Sequence, residues 1–169
     1  QHIYTLAPER HQSKSHTVTA AKDVSFSLNQ DEILAIAGQS GSGKSTIAKL
    51  ILRAIEPDSG KIFFDGTLVS KNSTGLKKLR MECQMVYQDP YDAINPRMKI
   101  SDIISEPLEI HNIGNKESRA QMVLDALKEV KLEPAHDIAK KYPHMLSGGQ
   151  RQRVVIARAL VVKPKVIIA

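Results

Sequence analysis

The sequence predicts an α/β fold with a mixed sheet and an inserted helical region, and three observations carry that prediction. The apolar run Glu32 to Ala37 feeds a glycine-rich loop and then an amphipathic helix, helical periodicity takes over from about Tyr91, and the chain returns to a fully apolar run at Val166 to Ala169. Continuous apolar runs of this last kind suit strands buried in the middle of a parallel sheet. With 169 residues, 41% of them hydrophobic, the chain can bury one respectable core, so one domain is the default count.

In order along the chain, Val18 to Leu28 alternates loosely, with Val24, Phe26 and Leu28 on one side and Ser25 and Ser27 on the other. That pattern predicts a strand with one polar face, turned by Asn29-Gln30-Asp31. Glu32 to Ala37 predicts a short buried strand, and Ile47, Leu50, Ile51 and Ala54 repeat at helical spacing after the loop. The breaker Glu56-Pro57-Asp58-Ser59-Gly60 is followed by Lys61-Ile62-Phe63-Phe64 and the pair Asp65-Gly66, which predicts a hairpin over Lys61 to Val69. A short basic helix is expected at Lys77 to Met81 and a buried strand at Cys83 to Gln88. Ala120, Val123, Leu124, Leu127 and Val130 share one face of a helix expected at Lys116 to Lys131. A further helix is expected after Ser147-Gly148-Gly149, with Ser147 as N-cap and Val154, Ala157 and Leu160 as its apolar stripe. No internal repeat or low-complexity tract interrupts this order.

The loop itself, Gly38-Gln39-Ser40-Gly41-Ser42-Gly43-Lys44-Ser45-Thr46, fits the phosphate-binding pattern G-x-x-x-x-G-K-[ST] between strand and helix. Glycines let successive backbone N–H groups point into one concavity, and the helix that follows adds its positive end, so a polyphosphate can be held by main-chain dipoles. Side chains at Gly38, Gly41 or Gly43 would obstruct that approach. Lys44 is placed to reach the β- and γ-phosphates, Ser45 to coordinate Mg2+, and Thr46 to add a hydroxyl and an amide on the α-phosphate side. The plainer alternative is a glycine-rich turn that happens to end in Lys-Ser.

Composition narrows the remaining functions. A net charge of +6 would suit an acidic partner, but the basic residues are scattered over Arg10 to Lys22, Lys71 to Arg80, Lys140 to Lys141 and Arg151 to Lys165, with few aromatics among them. Solvated faces account for such a distribution. Cys83 is the one cysteine, so neither an intramolecular disulfide nor a cysteine cluster for metal can form, which fits a reducing compartment. No apolar run approaches the roughly 18 residues that a membrane-spanning helix needs. Gln1-His2-Ile3-Tyr4 has no targeting layout, and both ends read as the interior of a longer chain.

Leu146-Ser147-Gly148-Gly149-Gln150, continuing through Arg151-Gln152-Arg153 to Ala157-Arg158-Ala159-Leu160, resembles the signature motif of ATP-binding-cassette ATPases. Two glycines at a helix start leave backbone amides exposed beside a hydroxyl, a second anion site made like the first; read alone, the same residues make an ordinary helix cap. The resemblance implies that Ser147, Gly148, Gly149 and Gln150 close over ATP bound by a partner cassette, and that Gln88 is the glutamine contacting the magnesium and attacking-water region. Without the resemblance, Gln88 is a polar residue at a strand end. Gln88-Asp89-Pro90-Tyr91, Asn95-Pro96-Arg97-Met98, Glu106-Pro107-Leu108 and Tyr142-Pro143-His144 together look like the oligopeptide, dipeptide and nickel importer branch. An aromatic residue near the start of such cassettes stacks on adenine. Tyr4 is the candidate, with a core role as the alternative, and Ala7 to Thr17 reads as an inserted loop.

The resemblance also implies a P-loop NTPase core at 1–88 and 161–169, a helical signature subdomain at 89–160, and a cassette incomplete at its C-terminal side. It places an Asp for magnesium and a general-base Glu after the strand at Val166 to Ala169, and a later switch histidine; none of these lies within 1–169. The expectation is therefore a parent protein that hydrolyses ATP to power import of peptides or a related solute, and a 1–169 chain that binds ATP with Mg2+ without useful turnover. Lys44 and Gln88 are its catalytic candidates. The implied partners are a second cassette, membrane permease subunits and a separate solute-binding protein, with no nucleic acid, at the cytoplasmic face of the membrane. Two other readings stay open: an ATPase of the same superfamily in DNA repair or chromosome maintenance, which usually splits the two motifs with long coiled coils, and a nucleotide-binding or dimerisation module without turnover.

Overall fold

A computed structural model describes residues 19–70, 74–89 and 93–169. The chain divides into two compact units, Gln1–Arg80 and Met81–Ala169. Its helices are α1 (Lys44–Ile51), α2 (Thr74–Glu82), α3 (Ile100–Ile110), α4 (Lys116–Glu129), α5 (Ala135–Lys140) and α6 (Gly148–Leu160). Its strands are β1 (Phe63–Phe64), β2 (Thr67–Leu68), β3 (Cys83–Met85) and β4 (Val166–Ile168).

In the first unit, Ile47 and Leu50 of α1, Ile62, Val69 and Leu79 are buried. The expected hairpin forms: β1 pairs antiparallel with β2, Phe63 opposite Leu68 and Phe64 opposite Thr67. Asp65 (φ 50°) and Gly66 (φ 71°) both take the left-handed conformation that a two-residue turn between right-twisted strands requires. Arg53, itself left-handed after α1, donates to the Val69 carbonyl at 2.5 Å and pairs with Glu56 at 2.7 Å, which fastens the end of the helix to the hairpin.

The strand expected at Glu32 to Ala37 is not formed. Ile33 is 99% exposed, and Leu34 and Ile36 are exposed as well. An apolar strand is stable only with ladder partners at its edges and layers over its faces, and no described residue pairs with this run. Val24, Phe26 and Leu28 are half-buried while Ser25 and Ser27 are exposed, so the predicted alternation is present there. Between the two runs Asp31 turns at φ 62°, and Asn29 donates its backbone N–H (2.8 Å) and its Nδ2 (2.9 Å) to the Glu32 carboxylate. These bonds, the side-chain one foremost, hold that carboxyl below its ordinary pKa.

The second unit is a helical layer attached to a parallel strand pair. β3 runs beside β4 with Cys83 opposite Val166, Gln84 opposite Ile167 and Met85 opposite Ile168. Lys165 N–H to the Glu82 carbonyl (2.7 Å) and Val86 N–H to the Ile168 carbonyl (2.8 Å) extend the ladder at both ends. Parallel neighbours need a crossover, and the segment carrying α3 to α6 supplies it. Its core takes Ile100, Ile103, Ile104 and Leu108 from α3, Val123, Ala126 and Leu127 from α4, Ile138 from α5, and Val154, Val155 and Ala157 from α6. α4 starts at the predicted Lys116, where the structure adds a capping box between Asn115 and Ser118, and ends where Lys131 turns left-handed at φ 58°. Helices α3 and α5 lie within the region expected to be helical, although their bounds were not predicted. Pro107, inside α3, hid a spacing of Ile100, Ile103, Ile104 and Leu108 that is otherwise plain.

Candidate functional site

The phosphate-loop residues form a left-handed turn that opens onto α1. Gly41 and Gly43 sit at φ 80° and 89°, and Gly43 is the N-cap of α1 without any side-chain cap. The first helical bond runs from Ile47 N–H to the Gly43 carbonyl at 2.9 Å. The N–H groups of Lys44, Ser45 and Thr46 therefore lack helical acceptors and make a cluster of donors suited to an anion. A Cβ on Gly43 would collide with the Ala20 carbonyl oxygen, and one on Gly38 would stand 2.6 Å from the Ser42 hydroxyl. Gly41 has open space around it, so there the requirement comes from φ alone.

Lys44 donates to the carbonyls of Gly38 (2.7 Å) and Gln39 (2.6 Å) and lies 3.5 Å from the Ser42 hydroxyl. Its ammonium thus stands over the mouth of the turn, held by weak neutral acceptors that an anionic ligand can replace. Ser45 is exposed on the first turn of α1, one hard oxygen donor beside the phosphate-binding amides. This set fits a Mg2+ ion of the kind that takes one or two protein oxygens and completes its shell with phosphate oxygens and water. Gln39 and Ser40 are exposed at the rim of the loop, and Thr46 is half-buried behind it.

Gln88 lies exposed in the second unit, three residues past the end of β3. Ser147 is the N-cap of α6: its hydroxyl accepts from Gln150 N–H (3.3 Å), while Gln150 Oε1 accepts from Ser147 N–H (3.0 Å). Gln150, expected at the nucleotide, uses its side-chain oxygen in this cap. Ser147, Gly148 and Gly149 are exposed, and a Cβ on either glycine would touch nothing. Arg151 fastens the turn before α6 by donating to the carbonyls of Pro143 (3.2 Å) and Leu146 (2.9 Å). Tyr4 and the Ala7 to Thr17 loop lie outside the described residues, as do Pro90 and Tyr91.

Sequence reasoning gave no role to Arg158. Its Nη2 bonds Glu106 Oε2 of α3 at 2.7 Å and its Nη1 bonds the Ala93 carbonyl at 3.0 Å, beside a cavity of about 300 Å3. A polar residue inside the apolar stripe of α6 was the available signal. Cys83 is buried at the start of β3, where desolvation pushes its thiol up to about 12. It is a core residue rather than a nucleophile. Among the described residues no helix is long and apolar enough to cross a membrane.

The family model for the ABC transporter matches residues 21–169. The chain is 43% identical over 153 residues to a probable peptide ABC transporter ATP-binding protein of Sinorhizobium fredii, covering 90% of this chain and 43% of that protein. It is 46% identical over 153 residues to a glutathione import ATP-binding protein of Salmonella paratyphi A, covering 90% of this chain and 24% of that one. It thus spans less than half the length of these relatives. Among solved structures, a dimeric ATP-binding cassette in a post-hydrolysis state bound to ADP and Pi superposes with a TM-score of 0.84 at 29% identity, over 99% of this chain and 72% of that one. A Clostridium perfringens cassette, part of an ABC transporter complex, gives 0.74 at 30% identity over 98% and 64%. The phosphate loop, the capped signature helix and these matches agree, and the chain belongs to the ABC transporter family as part of its ATP-binding cassette.

Proposed function

We propose that this chain is the nucleotide-binding part of an ATPase that powers import of peptides or a related small solute. The observation that carries the reading is the loop at Gly38–Thr46, where left-handed glycines, uncapped α1 amides and the Lys44 ammonium lie together at the start of α1. Support for the solute class comes from relatives whose names specify a peptide ABC transporter or glutathione import.

In this reading the amides of Gly41 to Thr46 hold the polyphosphate, Lys44 neutralises its β- and γ-oxygens, Ser45 helps hold Mg2+, and the family resemblance assigns Gln88 a metal contact. The metal supplies charge neutralisation at the transferring phosphoryl group. Positioning and electrostatics dominate phosphoryl transfer, so the protein's contribution is a set of fixed donors. Ser147, Gly148 and Gly149 serve nucleotide on a second cassette, which their exposure allows; the Ser147 hydroxyl, an acceptor in its cap, still has a proton to donate outward. Residues 1–88 and 161–169 then act as the nucleotide-binding core and 89–160 as the helical subdomain that meets the permease subunits at the cytoplasmic face of the membrane. A separate solute-binding protein selects the cargo. The family resemblance assigns general-base work to a Glu that follows the β4 strand, and on that reading the 1–169 polypeptide by itself binds ATP without useful turnover.

The test is ATP·Mg binding and phosphate release by the whole protein beside its Lys44→Ala variant. Tight binding and turnover that both collapse in the variant are the expected result. Equal affinity in the two would end the assignment of the loop.

A further inference from the structure

We propose that Met145 is a site of reversible oxidation by a hydroperoxide, and that its sulfoxide slows turnover at the neighbouring start of α6; the second half rests on the ATPase reading above. Of the five methionines in the sequence, Met81, Met85, Met98 and Met122 are half-buried, while Met145 is 56% exposed. Met98 and Met122 pack against the helical core. Oxidation of a sulfur side chain follows its exposure, so an oxidant in solution meets Met145 first. The one thiol does not compete, because Cys83 is buried and desolvation pushes its ionisation up to about 12.

The exposure is built into the backbone. Pro143–Met145 form one 3-10 turn, closed by Met145 N–H to the Tyr142 carbonyl at 2.9 Å and followed by Leu146 N–H to the Pro143 carbonyl at 3.1 Å. Pro143 and Leu146 take the buried positions of this turn, which leaves His144 and Met145 outside. Arg151 brackets the pair by donating to the carbonyls of Pro143 and Leu146, so Met145 cannot withdraw into the core without breaking those bonds. Ser147, Gly148 and Gly149, also exposed, follow two to four residues later. In the reaction the thioether sulfur takes the outer oxygen of the hydroperoxide: an S–O bond forms, the O–O bond breaks, and the sulfur loses two electrons. The proton of the transferred oxygen passes to the departing oxygen, which leaves as water or an alcohol. Two thiols reverse the step, releasing the oxygen as water and forming a disulfide. The sulfoxide is polar and chiral where the thioether was apolar and flexible. Beside the hydroxyl and amides proposed to approach phosphate on a second cassette, its oxygen is an added acceptor that repels phosphate oxygens and holds water which closure must expel.

The experiment treats the whole protein and its Met145→Leu variant with graded hydrogen peroxide, then with methionine sulfoxide reductase and a dithiol. Peptide mass spectrometry reads oxygen uptake at each methionine, and melting, ATP affinity and kcat are measured at every stage. At the dose that converts half of Met145, the other four methionines should be converted by less than about a tenth. With Met145 fully oxidised, kcat should fall by about fivefold while melting and ATP affinity hold, and the reductase should restore it. Met145→Leu, close in volume and without a sulfur, should keep its turnover through the same treatment. Equal conversion of all five methionines overturns the site. Full conversion of Met145 with unchanged kcat, or the same loss of kcat in Met145→Leu, overturns its effect on turnover. A wild-type protein that neither binds nor hydrolyses ATP before treatment removes the ATPase reading and the effect on turnover with it, while the selectivity for Met145 is still read from the peptides.

Discussion

At the residue scale the chemistry rests on backbone conformation as much as on side chains. Lys44 holds its ammonium on the carbonyls of the phosphate loop, and Lys44→Ala should weaken ATP binding by at least about tenfold, or about 1.4 kcal/mol, measured by calorimetry. Gly43→Ala tests the loop from the other side. Its φ of 89° and the Ala20 carbonyl both oppose a Cβ, and the left-handed conformation alone costs roughly 1–2 kcal/mol, so binding and thermal stability should fall together. Cys83 gives a pH dependence whose sign is fixed. Burial raises its folded-state pKa from 9.0 to about 12, so below pH 9 thiol ionisation costs the fold nothing, and between those values the unfolded chain ionises while the folded one does not. Stability should therefore decline over that alkaline window, by at most about 1.4 kcal/mol per pH unit, and Cys83→Ala should remove the decline in alkaline unfolding curves.

At the element scale α6 has two separable jobs. Its cap is local: Ser147→Ala removes the acceptor for Gln150 N–H and should cost about 1 kcal/mol in thermal unfolding of the isolated chain. Its exposed start is proposed to meet nucleotide on a partner. Gly149→Asp separates the two, because a Cβ there touches nothing and a carboxylate in the first helical turn favours the helix dipole, so the fold should hold. Turnover by the whole protein should nevertheless fall steeply through repulsion of phosphate, and an unchanged hydrolysis rate would refute the shared site. In α4, Leu127 is fully buried within the helical core, and Leu127→Ala should cost about 2–5 kcal/mol in denaturant unfolding.

At the scale of the whole molecule, the cassette carries its charge diffusely and its ligand groups locally. Because ATP is proposed to bind only the folded loop, saturation at 100 times its Kd should stabilise that unit by about 2.7 kcal/mol, readable as a rise in melting temperature that Lys44→Ala abolishes.

What the sequence by itself determined is whatever a few adjacent residues decide. The hairpin followed from Asp65-Gly66, α4 from apolar residues at helical spacing, α6 from Ser147 with its apolar stripe, and the phosphate-loop pattern from its glycines, of which Gly41 and Gly43 take positive φ. Tertiary structure decided what depends on partners far along the chain. It paired Cys83–Met85 with Val166–Ile168, left the equally apolar Glu32–Ala37 run without a ladder among the described residues, and kept Pro107 inside α3, whose Leu108 joins Leu127 in one core. It also brought Arg158 to Ala93 across 65 residues of sequence. A strand's apolar pattern states only that it can be buried; which strand receives its hydrogen bonds is set by the rest of the fold.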